Sequence, residues 1–252
     1  MLIANIYPIP NQHHYKDEKI VMLLAHLLDK YNPKYFNDKQ FIILDNGIYE
    51  NAQVSTDLQD LVNMADKCKI PVCELVIPDK FFDSKETVRL FEKNLDVIRK
   101  YSKKYQFMFV AHHEDFEDFK WIMNYIEQYK DDKTLNLSVG VPKRARFCRE
   151  MDEAIEVYRK CSFPIHFLGL ADTTPLKDLI KVEPYIRSCD TSQIVTMIKN
   201  TPKNVDILSY VRKPEDEPID LLNDYINEER LNNLLETEYD QSVLANFLGI
   251  YD

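Results

Sequence analysis

Three aspartates stand at the ends of strand-like apolar runs, a placement that suits chemistry at an acetal-like carbon. Ile42-Ile-Leu-Asp45 ends on Asp45, Glu74-Leu-Val-Ile-Pro-Asp79 on Asp79, and Tyr185-Ile-Arg-Ser-Cys-Asp190 on Asp190. Two further runs, Leu135-Asn-Leu-Ser-Val-Gly140 and Ile165-His-Phe-Leu-Gly169, end on glycine. The chain has only 4 glycines, and Gly47, Gly140 and Gly169 all sit at such ends. In a parallel α/β protein the carboxyl ends of the strands converge on one rim, where ligands bind. Two carboxylates across that rim can divide the work of glycosyl transfer. One attacks the anomeric carbon while the other handles the leaving group's proton. The same oxygens could instead hold magnesium or calcium. A third use is local, the capping of the following helix, and Asp79 is most open to it because Asp83-Ser84 soon follows.

The elements that must deliver these residues can be read from the apolar pattern. Strands are expected at 2–7, 41–45, 73–78, 106–111, 135–140, 164–169 and 185–189, with an eighth near 205–210. Helical spacing of apolar residues marks Asp17–Tyr31, Ser55–Cys68, Ser84–Tyr101, Asp115–Gln128, Arg146–Lys160 and Pro175–Val182, as with Val21, Leu24, Leu27 and Leu28 in the first. Asp83-Ser84 and Thr174-Pro175 are helix-start signals. Strands alternating with helices imply right-handed crossovers and a parallel sheet. The fold class expected is therefore α/β, a (β/α)8 TIM-type barrel, with 1–252 as one domain. After Pro214-Glu-Asp-Glu-Pro218, residues 213–252 read as a helical C-terminal extension packed on the barrel.

Composition bounds the partners. The chain has 252 residues, 45% of them hydrophobic, enough for one substantial core. Its formal charge of −10 argues against non-specific coating of nucleic acid, which depends on neutralising many phosphates. A local patch, Lys143-Arg144-Ala-Arg146 with Arg149, nevertheless follows the Gly140 strand end. It reads either as a nucleic-acid contact or as a solvated first helical turn. The five cysteines (Cys68, Cys73, Cys148, Cys161, Cys189) show no C-x-x-C pairing, which suggests reduced thiols and a cytoplasmic setting. No apolar run approaches the ~20 residues that span a bilayer, so no membrane partner is expected. The amino terminus reads as a first strand rather than a secretion signal.

Order and local context together resemble the tRNA-guanine transglycosylase family, and within it the short phage-type branch acting on DNA. Asp45-Asn46-Gly47-Ile48-Tyr49 resembles the family's Asp-Ser-Gly-Gly-Phe/Tyr segment, and Asp79 falls where its Asp-Glu-Cys-Thr segment stands. Leu137-Ser-Val-Gly140 resembles Leu-Ala-Val-Gly, and Pro142-Lys143 continues the family's Glu-Pro-Lys run. Pro164-Ile-His-Phe-Leu168-Gly169 resembles Pro-Arg-Tyr-Leu-Met-Gly, and Ser188-Cys-Asp190 resembles Phe-Asp-Cys/Ser. The likeness runs from about residue 40 to 195.

Carried over position by position, the resemblance implies that Asp190 is the nucleophile and Asp45 the general acid/base. Asp79 would accept hydrogen bonds from guanine N1–H and the 2-amino group. Tyr49 would stack on the base, with Leu168 as the opposite wall of the slot. Asn46 and Gly47 would belong to the same pocket; Gly140 and Gly169 would bring backbone amides close to the purine O6; Leu137 would add a backbone contact. No redox or nucleotide cofactor and no metal is implied. The implied partners are nucleic acid (DNA, or tRNA) and a 7-deazaguanine base, with a homodimer left open, in the cytoplasm, the host's if the chain is phage-encoded.

The departures are specific. Ile48 replaces a family glycine, and Ala111-His112-His113 replaces a Gln-Gly pair, so His112 either substitutes for that base contact or serves a local carbonyl. Val141 replaces a glutamate associated with a charged aminomethyl base, which favours 7-cyano-7-deazaguanine as the incoming base. The zinc-binding Cys/His cluster of tRNA-modifying members is missing, which favours DNA over tRNA. Three other readings remain open at this point: a base glycosylase with water as acceptor, a non-catalytic binding member, and an unrelated metal-dependent barrel enzyme.

Overall fold

The structure, a computed structural model, describes residues 2–6, 12–13, 15–16, 18–47, 56–142, 151–169 and 183–191. Its strands are β1 (Leu2–Asn5), β2 (Ile20–Leu24), β3 (Phe41–Asp45), β4 (Glu74–Val76), β5 (Gln106–Val110), β6 (Leu137–Pro142), β7 (Ile165–Leu168) and β8 (Ser188–Thr191). The helices are α1 (Leu58–Lys67), α2 (Ser84–Lys93), α3 (Leu95–Tyr101), α4 (Phe116–Glu127) and α5 (Met151–Lys160). All eight strands belong to one sheet in the order β1-β8-β7-β6-β5-β4-β3-β2. Every neighbouring pair is parallel. The two end strands, β1 and β2, also lie side by side, so the sheet curls into a TIM-like α/β barrel.

Two-residue alternation sorts the strand side chains into two cores. Ile42, Leu44, Leu75, Phe107, Phe109, Val139, Val141, Ile165, Phe167 and Cys189 face outward into one large cluster with the helices. Ala4, Ile20, Met22, Ile43, Val76, Met108 and Val110 form a second cluster inside the barrel. The helices match the outer layer by their own period. On α1 the buried residues are Leu58, Leu61, Val62 and Ala65; on α4 they are Phe119, Ile122, Met123 and Ile126. Aspartates start three of these helices. Asp57, Asp83 and Asp115 each accept a hydrogen bond from a backbone N–H of the first turn, at 2.9, 2.8 and 2.9 Å. Each such cap is worth about 1 kcal/mol.

The elements differ from the sequence expectations in four places, one of them the strand expected over 185–189: Glu183–Tyr185 form a 3-10 helix, and β8 runs instead over Ser188–Thr191. The segment expected as a helix over 17–31 contains β2, followed by a 3-10 helix over Ala25–Lys30. Ile20-Val-Met-Leu-Leu24 is buried at all five positions, the signature of a parallel strand covered on both faces. Its continuous apolar run also satisfies helical spacing, so periodicity alone could not separate the two. With β2 in the sheet, eight strands are present without any contribution from 205–210, which lies outside the described residues. The single helix expected over 84–101 is two, α2 and α3, divided at Asn94 (φ −98°, ψ 1°). Strand β6 runs on to Pro142, so Gly140 lies within it rather than at its end. The segment Pro175–Val182 and the extension 213–252 lie outside the described residues. Among the described residues no helix is long and apolar enough to cross a membrane.

Candidate functional site

Because the strands are parallel, their carboxyl ends share one rim, and the alternation decides which rim residues look inward. Asp45 ends β3 two residues after the inward Ile43. It stands in register with Leu24 of β2. Asp190 lies on β8 beyond the outward Cys189 and is in register with Ala4, a member of the inner cluster. Asp45 and Asp190 therefore share the inner face of the same barrel end. Asp79 follows β4, on the side of the ring opposite β8.

Asp190 is 6% exposed and anchored through one oxygen. The backbone N–H of Gly169 donates to its Oδ1 at 2.9 Å, and His166 Nε2 lies 3.1 Å from the same atom. Among the described residues no hydrogen bond reaches Oδ2. Gly169 follows β7 in the left-handed region, φ 67°, which glycine adopts without a Cβ clash. That turn aims its amide at Asp190, so Gly169, expected to hold an amide toward a purine, holds the carboxylate instead. Behind His166, Nδ1 lies 2.8 Å from Ser188 Oγ.

Asp79 is gripped from two sides. Asn46 Nδ2 donates to its Oδ1 at 2.7 Å and to the Ile77 carbonyl at 3.0 Å, tying the ends of β3 and β4 together. His112 Nε2 lies 2.5 Å from Asp79 Oδ2, and the Phe81 ring meets the His112 ring edge to face at 5.1 Å. The capping alternative for Asp79 is answered directly, since Asp83 caps α2. His112, expected to reach a base, is committed on Nε2 to Asp79. Each Asp79 oxygen keeps a second lone-pair direction, because a carboxylate oxygen can accept twice. The neighbouring His113 is buried, and its Nδ1 lies 2.8 Å from the Ala111 carbonyl oxygen. Burial, more than any charge nearby, lowers its pKa below the usual histidine value.

Gly47 also takes a left-handed conformation, φ 77°, and a Cβ there would stand 3.0 Å from His26 Nδ1. Gly140 has another reason to be glycine. A Cβ at that position would meet Met108 Sδ at 2.8 Å and Leu168 Cδ1 at 3.0 Å, both packed inside the barrel. Leu168 thus points inward beside Gly140. Leu137 opens β6 at the end opposite the rim, in register with Phe107, and its side chain belongs to the outer cluster. Its carbonyl accepts from Gln106 Nε2 at 3.2 Å, so the structure does not bring it to the site. Tyr49 and the basic residues Lys143, Arg144, Arg146 and Arg149 lie outside the described residues.

Polar residues that the sequence reading left without a role line the opposite, amino-terminal end of the barrel. Glu74 is fully buried and accepts from Arg187 at 2.8 and 3.2 Å and from the Ser138 hydroxyl. A signal for them exists in retrospect: Glu74, Gln106, Ser138 and His166 are polar residues at inward positions of otherwise apolar strands, and Ser188 takes the same inward position on β8. Among the described residues no three His, Cys, Asp or Glu side chains are placed to hold a metal ion.

No family model and no curated protein matches the chain. Solved structures do resemble it. A pyruvate carboxylase variant from Rhizobium etli, crystallised without acetyl coenzyme A, aligns with TM-score 0.50 at 12% identity, covering 92% of this chain and 28% of that one. The carboxyl transferase domain of Rhizobium etli pyruvate carboxylase with pyruvate and biocytin aligns with TM-score 0.48 at 12% identity, covering 92% and 47%. A 2,3-dimethylmalate lyase of the PEP mutase/isocitrate lyase superfamily gives TM-score 0.37 at 8% identity, covering 99% and 87%. The chain thus spans less than half the length of the carboxylase chains it matches. At 12% identity the likeness to the first of these, at TM-score 0.50, is one of architecture alone. The strand order and parallel register themselves make the chain a TIM-like α/β barrel.

Proposed function

We propose that the protein is a pentosyltransferase that exchanges guanine in nucleic acid for a 7-deazaguanine base such as 7-cyano-7-deazaguanine, with DNA preferred over tRNA. The observation that carries this reading is the state of Asp190. It is an inward rim carboxylate whose Oδ1 is held by two groups while Oδ2 takes no hydrogen bond among the described residues. A second carboxylate, Asp45, shares that rim. The ordered motifs from about residue 40 to 195 supply the choice of substrate.

The target nucleotide leaves its stack, at a cost of a few kcal/mol in a duplex and less in a single strand. Asp190 Oδ2 attacks C1′ as the bond from C1′ to guanine N9 breaks, and Asp45 protonates the departing base. A covalent glycosyl-aspartate results. The incoming base surrenders its N9 proton to Asp45, attacks C1′ from the vacated side and releases the Asp190 carboxylate. Two displacements at one carbon retain the β-anomer. Asp79, with Asn46 and His112 each occupying one direction, offers its remaining lone pairs to the N1–H and 2-amino edge of the base.

The test is release of label from guanine-labelled DNA and tRNA, each with and without 7-cyano-7-deazaguanine. The expected result is base-dependent release from DNA, with an intact modified nucleoside as product and a covalent complex that disappears in Asp190→Asn. A covalent complex that survives in Asp190→Asn refutes the assignment of the nucleophile. An abasic sugar as sole product would make the protein a glycosylase instead.

A further inference from the structure

The interior of the barrel carries a continuous polar path from its amino-terminal mouth to Asp190. It begins at Arg187. Nη1 of that guanidinium donates to Gln106 Oε1 at 2.8 Å and Glu74 Oε1 at 3.2 Å, and Nη2 donates to Glu74 Oε2 at 2.8 Å. The Phe41 ring lies against the guanidinium, 4.8 Å from centroid to Cζ. With both Nη atoms committed, the direction of Nε–H is fixed, and it donates to Ser188 Oγ at 3.1 Å. A guanidinium can only donate. Ser188 Oγ is therefore an acceptor on that side, and its own hydrogen remains for another acceptor. The atom in reach is His166 Nδ1 at 2.8 Å.

The hydroxyl decides the tautomer. If Ser188 donates to Nδ1, then Nδ1 carries the lone pair and the imidazole hydrogen sits on Nε2, facing Asp190 Oδ1 at 3.1 Å. The opposite arrangement would place a lone pair of Nε2 against a carboxylate oxygen. It would also leave the Ser188 hydrogen seeking a partner at a residue that is 0% exposed, an expensive way to bury a hydroxyl. His166 is itself 0% exposed, so water does not relieve either problem.

We infer that Arg187, Ser188 and His166 form a positioning device for Asp190, locking His166 as the Nε2–H tautomer so that Oδ1 is held while Oδ2 takes no hydrogen bond among the described residues. Gly169 supplies the second donor to Oδ1 from the backbone, so the carboxylate is fixed in rotation as well as in place. The functional consequence rests on the reading of Asp190 as a nucleophile, whereas the tautomer does not.

Two measurements separate those levels. In the full-length protein labelled with 15N-histidine, the His166 signal is identified among the six histidines by its loss in His166→Gln. At neutral pH it is expected to show a bare Nδ1 and a protonated Nε2. A protonated Nδ1 overturns the proposal whether or not the protein exchanges bases. In the exchange assay, His166→Phe removes one donor to a charged group and is expected to lower kcat by roughly 10- to 100-fold with KM for the polynucleotide little changed. His166→Gln, whose amide can donate from a similar reach, is expected to recover most of that loss. Equal kcat in wild type and His166→Phe would refute the positioning role. If the wild type exchanges no base at all, the transglycosylase reading fails while the 15N result still decides the tautomer.

Discussion

Replacing Gly140 by alanine distinguishes a glycine needed for packing from one needed for a ligand. The new Cβ would lie 2.8 Å from Met108 Sδ, 3.2 Å from Met108 Cγ and 3.0 Å from Leu168 Cδ1. Ordinary carbon contacts begin near 3.5 Å, so the Met108 side chain must retreat by roughly 0.7 Å. Met108 is fully buried inside the barrel among Ile43, Val76 and Val110, where that retreat has to be shared. Overpacking a close-packed core costs about 1–3 kcal/mol, and the flexible thioether places this case in the lower half. Gly140 does not occupy the left-handed region, so the methyl also restricts the unfolded chain and returns roughly 0.4–1 kcal/mol. The net expectation is a loss of about 1 kcal/mol, read as a lower urea midpoint at unchanged slope. Met108→Ala alone should cost about 2–5 kcal/mol by opening a cavity. In the double variant the methyl added by Gly140→Ala enters that space, so the combined loss should fall short of the sum by about 1 kcal/mol. Strict additivity would refute the packing argument. Loss of base exchange at unchanged stability would return Gly140 to the role of a backbone donor for the base.

Two other perturbations have signs set by the structure. Glu74→Gln breaks the ion pair with Arg187 at the amino-terminal mouth; since Arg187 keeps 21% of its side chain exposed, the expected loss is about 2–4 kcal/mol in urea unfolding. The pair Glu74→Leu with Arg187→Met should recover most of it, and a single variant as stable as wild type would contradict the buried geometry. His113, buried with its pKa lowered by desolvation, binds its proton more weakly folded than unfolded. Its contribution to stability is therefore complete above the ordinary histidine value near 6.5 and is lost as pH falls through the depressed folded value. His113→Gln should flatten the stability-versus-pH curve below about 6.5 relative to wild type; an unchanged slope there would show that other groups dominate.

Much of the architecture could be read along the chain. Strand-like runs separated by amphipathic helices announced a parallel barrel, because side-chain period and turn chemistry are local properties. Asp83 before Ser84 was legible as a helix start for the same reason. Strand β2 was not, since an apolar run buried on both faces has no diagnostic period, and only its pairing with Phe41–Asp45 decides its conformation. Asp45 was legible as a strand-end carboxylate, whereas Asp79 stands three residues beyond β4 and Asp190 one residue before the end of β8; the alternation along β3 and β8 carries Asp45 and Asp190 to one inner face.

What the carboxylates touch was decided by tertiary structure alone. Asp79 meets Asn46 and His112 across 33 residues of sequence separation in each case, and Asp190 meets His166 across 24. Such contacts depend on the register between strands, and a register has no signature in one strand's own residues. Gly140 makes the point most plainly. Its place in the sequence suggests a ligand, but its neighbours Met108 and Leu168 come from the two adjoining strands, and only the pairing of β6 with β5 and β7 brings their side chains against it.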